Sequence, residues 1–253
     1  MPLTLSAEEL ERYDRQVCIA EIGTTGQEKL KKAKICICGA GGLGSPAAIY
    51  LVAAGVGTIT LVDHDQVALS NLNRQVLHHE ADIGRHKVDS AKEKLGNLNS
   101  HVTLNTSRLR ITEENVARLI TGHDVIIDAL DNLETRYILN QAALDLNIAF
   151  IHGAVSGFEG RVMTVIPGRS TCLRCLYRGL VKQPEKIPVI GVTPAVIGAL
   201  QATEAIKYIT GIGDLLTDRL LIFDGLKLKW SEFKLLKNPT CDHCGKSRDR
   251  ISS

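Results

Sequence analysis

No block of basic residues interrupts the mixed charge of this 253-residue chain, whose 30 Lys+Arg against 28 Asp+Glu leave a formal net charge of +2. That balance argues against a nucleic-acid binder, which needs a concentrated cationic face. A basic-then-apolar leader is missing as well: "MPLTLSAEELERYDRQ" is polar and acidic, so no secretory signal is expected, and the chain is expected in the cytoplasm. Charge is absent from Ile35 to Val62, a span long enough to nominate a membrane helix. Seven punctuating residues, from Gly39 through Pro46 to Gly57, instead divide it into a strand, a turn, a helix and a second strand, and no membrane association is expected. Internal repeats and low-complexity segments are missing too. The seven cysteines are an odd number for a disulfide framework, and none lies between Cys175 and Cys241.

What is present starts with a βαβ pattern. Ile35–Cys38 reads as a buried strand, in which Cys36 and Cys38 alternate with isoleucines and belong to the core; Cys18 in "QVCIAEIG" is read as buried likewise. Gly39, Gly41 and Gly44 make the G-x-G-x-x-G spacing that lets backbone approach a phosphate, with Gly42 between them. Ser45 is the expected N-cap of the next helix, with Pro46 at its first position and Gly55 or Gly57 at its end. "TITLVD" then brings Asp63 about twenty residues beyond the loop, where an acid accepts ribose hydroxyls.

The residues after Asp63 ask for more than a ribose. A dinucleotide is held by backbone amides with little added cationic charge, whereas breaking a triphosphate requires cations and a metal-binding carboxylate. Arg15, Asn71, Asn73, Arg74, Gln75, Lys87 and Asp131 are the candidates, in chain order. "DVIIDALDN" reads as a third buried strand, placing Asp131 at the sheet edge where an open α/β fold binds ligand. Asp131 reads equally as a helix cap there, as does Asn132, and Lys87 as a surface lysine. Cys172–Cys175 and Cys241–Cys244 are two C-x-x-C knuckles, matching a four-thiolate structural Zn²⁺ site, with His243 a bystander. "TPAVIGALQATEAIKYITG" is an apolar helix ending at Gly211, in the core or at a dimer interface, and "RLLIFDGLKLKWSEFKLLKN" reads as a hairpin around Asp224–Gly225.

In this order "RYDRQ", "GAGGLGS", "VDHDQVALSNLNRQ", "GRHK", "DALDN", the two cysteine pairs and "GALQATEAIKYITG" resemble the ThiF/MoeB/HesA family, relatives of ubiquitin-activating enzymes. The resemblance covers nearly the whole chain and implies one adenylation domain over 1–253. It would comprise N-terminal helices (1–33), a nucleotide-binding core (34–170), and a zinc knuckle, crossover loop and C-terminal strands (171–253). The implied fold is α/β, a Rossmann-like, mostly parallel sheet flanked by helices, with a C-terminal antiparallel region and the zinc knuckle. The implied chemistry is ATP-dependent adenylation of the C-terminal Gly-Gly carboxylate of a small ubiquitin-like sulfur-carrier protein. By motif, Gly42 touches the phosphates, Asp63 the ribose, and Asn71, Arg74 and Lys87 the triphosphate, with Asp131 on Mg²⁺. Arg15 would reach across from the partner subunit of a homodimer.

Many relatives carry a cysteine in the crossover segment, here "LYRGLVKQPEKIPVIGVTP", which has none. The reaction is therefore expected to stop at the acyl-adenylate, with a separate sulfur donor. No rhodanese-like domain is expected, because the chain ends just past the second knuckle. A molybdopterin-type carrier is favoured over thiamine-type or tRNA-thiolation carriers. The alternatives are a nicotinamide- or flavin-dependent oxidoreductase, which has no need of Arg74 and Lys87, and a non-catalytic binding module, which would have lost some of the four charged candidates.

Overall fold

The computed structural model describes residues 4–178 and 187–245. Eight strands form one sheet: β1 (Lys34–Cys38), β2 (Thr58–Val62), β3 (Thr103–Ser107), β4 (Val125–Asp128), β5 (Ala149–Ser156), β6 (Glu159–Val165), β7 (Arg219–Asp224) and β8 (Lys229–Lys234). Their order is β3-β2-β1-β4-β5-β6-β7-β8, parallel through β5 and antiparallel beyond it. This is the expected Rossmann-like half extended by an antiparallel half. The helices are α1 (Ala7–Arg12), α2 (Asp14–Val17), α3 (Gly23–Lys32), α4 (Gly44–Ala53), α5 (Lys87–Leu98), α6 (Glu113–Ile120), α7 (Leu133–Asp145), α8 (Leu173–Leu176) and α9 (Val192–Thr210). No described helix is long and apolar enough to cross a membrane.

Strand alternation divides the core in two. Ile35 and Ile37 of β1 join Leu61, Ile127, Leu51 of α4 and Ile197 of α9 on one face. Cys36 and Cys38 point the other way, to Ile126, Phe150, Met163 and Leu139 of α7. Because both faces are covered, the inner parallel strands β1, β4 and β5 read as nearly continuous apolar runs, whereas the edge strand β3 is polar and partly exposed. Each fully buried side chain of this size contributes about 1.5–3 kcal/mol of transfer free energy.

α9 ends at Gly211, whose φ of 78° closes the helix in the left-handed region, as its sequence suggests. It packs on α4, β5 and β6, so its main role is in the core. The hairpin also forms, but Asp224 pairs with Lys229, leaving a four-residue connection capped by the Asp224 carboxylate on the amides of Leu226 and Lys227. β8 is exposed along its whole length.

Two expectations are corrected. Ser45 does not cap α4: the helix begins at Gly44, and among the described residues no side chain caps it and the buried Ser45 hydroxyl has no partner. The loop turns so tightly that Gly44 itself enters the helix, placing Ser45 two residues past the cap position at Leu43. Cys18 is exposed, because α2 ends at Val17 and the chain turns outward there, its sulfur 3.9 Å from Asp14 Oδ1.

Candidate functional site: a nucleotide cleft and a four-cysteine knuckle

Strand order reverses at β1, whose loop runs to α4 while the neighbouring β4 loop runs to α7. Connections that leave in opposite directions open a crevice at the carboxyl ends of the strands. A cleft of about 900 Å³ lies there, walled by the loops following β1, β2, β3 and β4. The glycines shape its floor. Gly39 sits at φ 103°, and a Cβ there would lie 2.5 Å from the Ala129 carbonyl oxygen; a Cβ on Gly44 would lie 1.8 Å from the Gly39 carbonyl oxygen. Gly39 and Gly44 thus permit the turn, whereas Gly41 and Gly42 line the cleft. In the first turn of α4 the Ser45 N–H already donates to the Gly41 carbonyl at 2.9 Å and Pro46 has no N–H, so it is the glycine loop ahead of the helix, with Gly41 and Gly42, that turns its amides toward an anion in the cleft.

Asp63 closes one side. Its Oδ2 accepts the Ala40 N–H at 2.8 Å and its Oδ1 the Asp65 N–H at 2.9 Å, pinning the end of β2 to the glycine loop. After a short 3₁₀ turn the next segment adds Asn73, Arg74 and Gln75 to the wall. Arg74 Nη1 donates to the Ser70 carbonyl at 2.8 Å and to Asn73 Oδ1 at 2.9 Å. Buried Gln75 packs over Gly41, and its Oε1 has no partner among the described residues.

Lys87, the first residue of α5, is buried rather than a surface lysine, and its Nζ donates to Asp65 Oδ2 at 2.8 Å. Partial burial would raise the Asp65 carboxyl, but the Lys87 ammonium outweighs it and holds the pKa below the usual range. Asp131 is exposed on the β4 loop and lines the cleft. Asn132 also lines it while capping α7, accepting the Thr135 N–H at 2.9 Å. Asp128 turns into the core instead, 2.7 Å from His152 Nδ1.

Two candidates stand apart. Asn71 is not in the wall; its Oδ1 accepts the Ala68 N–H at 3.0 Å and closes the 3₁₀ turn. Arg15, exposed on α2, does not line the cleft either. Its neighbour Gln16 lines a shallower depression with Tyr50, Ala199 and Thr203 of α4 and α9. The sequence reading missed Asp65, Arg110 and Arg136, which all line the cleft. Arg110 follows β3 as Asp63 follows β2, and Arg136 lies one helical turn beyond Asn132, so strand ends and helix spacing were the available signals. Arg136 Nη2 donates to the carbonyls of Leu130 and, at 2.8 Å, Gly153, bracing the β4 loop.

The cysteine pairs meet beside α7. Sulfur separations are 3.9 Å for Cys172–Cys175, 3.7 Å for Cys172–Cys241 and 3.4 Å for Cys175–Cys244. A tetrahedral site with Zn–S of about 2.3 Å requires sulfurs about 3.8 Å apart. The donor set therefore fits zinc. Burial pushes the Cys244 thiol up to about 11, so it would persist as a thiolate here only with a cation beside it. Gly245 closes the second knuckle through its N–H to the Cys241 carbonyl at 2.8 Å. His243 packs edge-on against Tyr137 and is 2.9 Å from Asn140 Nδ2, outside the sulfur cluster. The middle of the crossover segment, 179–186, lies outside the described residues.

A glycine loop and converging cations on a Rossmann-like sheet, with a four-cysteine knuckle beside it, agree with the comparison to known proteins. The ThiF family model matches residues 13–243, and the chain belongs to that family. A sulfur carrier protein adenylyltransferase of Thermus thermophilus is 40% identical over 248 residues, covering 94% of this chain and 92% of that protein. The adenylyltransferase and sulfurtransferase MOCS3 of Anopheles gambiae is 42% identical over 250 residues, 96% of this chain, but the chain spans only 56% of that longer protein. Among solved structures, E. coli MccB with ATP superposes with a TM-score of 0.84 at 25% identity, covering 93% of this chain and 75% of that one.

Proposed function

We propose that the protein is an adenylyltransferase that activates the C-terminal Gly-Gly carboxylate of a small ubiquitin-like sulfur-carrier protein with MgATP. The carrying observation is the convergence on one cleft of the glycine loop, Arg74, Lys87 and an exposed carboxylate, Asp131. A dinucleotide needs only the first of these, while a triphosphate under attack needs them all.

In this reading Asp63 takes the ribose, and the amides of Gly41 and Gly42 take phosphate oxygens. Lys87 and Arg74 neutralise charge that grows on the α-phosphate and the departing pyrophosphate. Asp65 fixes the Lys87 ammonium at the cleft wall until the phosphates compete for it. The residues fit Mg²⁺ at Asp131, the exposed carboxylate at the sheet edge; when bound, that ion screens the phosphates. A carrier carboxylate oxygen then bonds to the α-phosphorus as the bond to the bridging oxygen breaks and pyrophosphate leaves. A carboxylate is already deprotonated, so no general base is needed, and catalysis is alignment with charge neutralisation.

Arg15 joins from the second subunit of a homodimer. Support comes from its absence from the wall of its own cleft and from the depression between α4 and α9 beside it, where Tyr50, Ala53 and Thr203 are exposed. The knuckle cysteines hold zinc as a structural tether. With no cysteine in the crossover segment, and with exposed Cys18 away from the cleft wall, the reaction ends at the acyl-adenylate and sulfur comes from a separate donor. A molybdopterin-type carrier is favoured.

The test is exchange of labelled pyrophosphate into ATP with candidate carriers. Exchange should require both the protein and a Gly-Gly-terminated carrier, and truncating that carboxylate should abolish it. Carrier-independent exchange, or binding of NADH in place of ATP, contradicts the assignment.

A further inference from the structure

Behind the cleft wall lies a buried chain of polar groups that the proposed chemistry does not use. His78 is 3% exposed and follows the segment carrying Asn73, Arg74 and Gln75. Its Nε2 is 2.9 Å from the carbonyl oxygen of Ala40, inside the glycine loop, and its Nδ1 is 2.9 Å from Ser90 Oγ of α5. Ser90 Oγ accepts from Lys94 Nζ at 3.0 Å, and Lys94 also donates to buried Asp82.

Donor and acceptor chemistry orients the links to Ala40 and Lys94. A carbonyl oxygen only accepts, so Nε2 carries the proton. An ammonium only donates, so Ser90 accepts from Lys94; its own hydrogen is open to Nδ1 and to the Asp82 carboxylate, which Ser90 helps to keep ionised, and a neutral ring accepts it at Nδ1. His78 is then neutral, with its proton on Nε2. Burial pushes its pKa below the usual histidine value in spite of the Ala40 carbonyl; Lys87 and Lys94 push it further down, against the pull of Asp82. On the far side of Ala40, its N–H is held by Asp63 Oδ2 at 2.8 Å. Both peptide units around Ala40 are thereby fixed, immediately before the cleft-lining Gly41 and Gly42.

We infer that His78, as the neutral Nε2–H tautomer, is a positioning residue that ties the cationic segment to the phosphate-binding glycine loop through the Ala40 carbonyl. The inference rests on the nucleotide reading of the cleft. His78 touches no ligand; it acts by fixing the backbone that does. The Asp82–Lys94–Ser90 chain serves to set its tautomer, and thus couples α5, which carries Lys87, to the same loop.

Two measurements on the full chain test this. A long-range ¹⁵N–¹H correlation spectrum at pH 7 should show His78 as the Nε2–H tautomer; an Nδ1–H tautomer or an imidazolium overturns the inference. Calorimetric titration with MgATP should show His78→Ala binding about tenfold more weakly than the unaltered protein. His78→Gln, whose amide can bring an N–H to the place of Nε2, should recover affinity to within about threefold. Melting temperatures measured alongside separate loss of folding from loss of positioning. Equal affinity for the Ala variant and the unaltered protein overturns the inference, as does equal weakening in both variants. Should the Ala variant fail to fold, the spectrum and the Gln variant decide. If the unaltered protein does not bind MgATP, the nucleotide reading itself fails, a result distinct from any of these.

Discussion

Replacing Lys87 by Met isolates the charge that the proposed chemistry needs most. The side chain is 7% exposed and its ammonium lies 2.8 Å from Asp65, whose own side chain is 52% exposed. Asp65 can rehydrate when its partner is lost, and Met fills the path of the lysine stem, so stability should fall by no more than about 1 kcal/mol. In a chain of this size that shifts the melting temperature by about 2–4 °C. The effect on catalysis should be larger. A unit charge about 4 Å from a phosphoryl oxygen at an effective dielectric of 20 is worth about 4 kcal/mol, and competition from Asp65 reduces the net gain to about 2–3 kcal/mol. Carrier-dependent pyrophosphate exchange should therefore slow by roughly 30- to 150-fold. Exchange within about threefold of the unaltered protein, at equal melting temperature, would refute the placing of Lys87 on the triphosphate.

Asp82 provides a pH test. Burial would raise its carboxyl, but hydrogen bonds from Lys94 and the His79 N–H outweigh that and hold its pKa far below the ordinary range. Its contribution to stability is complete above the unfolded value of about 3.9 and is lost as pH falls through the lower folded value. Asp82→Asn should thus destabilise by about 3 kcal/mol near neutrality, with the gap narrowing below about pH 3; a gap constant to about pH 2 in denaturant titrations contradicts the pairing. Cys244→Ser should cut zinc content, measured by atomic emission, and lower the melting temperature by about 5–10 °C, while unchanged zinc excludes Cys244 as a ligand. Arg15→Ala and Arg74→Ala should each lower exchange by about 10²-fold or more, yet mixed subunits of the two should recover roughly a quarter of full activity. Failure to recover means that Arg15 does not serve a partner's cleft.

The parallel core was legible because its inner strands, such as β1 and β4, lie between two helical layers and so spell nearly pure apolar runs, unlike the polar edge strand β3, and because glycines at fixed spacing leave few other turns. Gly39 and Gly44 show why: a Cβ on either would collide with backbone. The cysteine knuckles were legible for a similar reason, since four thiols rarely pair by spacing without a shared centre. Local end effects were harder to read. Ser45 looked like a cap because its type favours that position, but the tightness of the preceding turn starts the helix two residues earlier, at Gly44. Cys18 sits in an apolar sequence, yet its helix stops after one turn. The charged wall was half visible: Asp63, Arg74 and Lys87 follow recognisable strand ends and motifs, whereas Arg110, Arg136 and His78 depend on contacts between segments far apart in sequence. Asn71 sits among cleft residues in the chain but closes its own turn in space. A side chain's local hydrogen bond can remove it from a site that its neighbours form.

The central claim is that Arg74 and Lys87 neutralise a nucleoside triphosphate in this cleft. A crystal structure with MgATP bound tests it most directly. Both cationic groups should then lie within about 3 Å of phosphoryl oxygens, with the ribose against Asp63. A bound nucleotide whose phosphates leave Arg74 and Lys87 facing only solvent would contradict it.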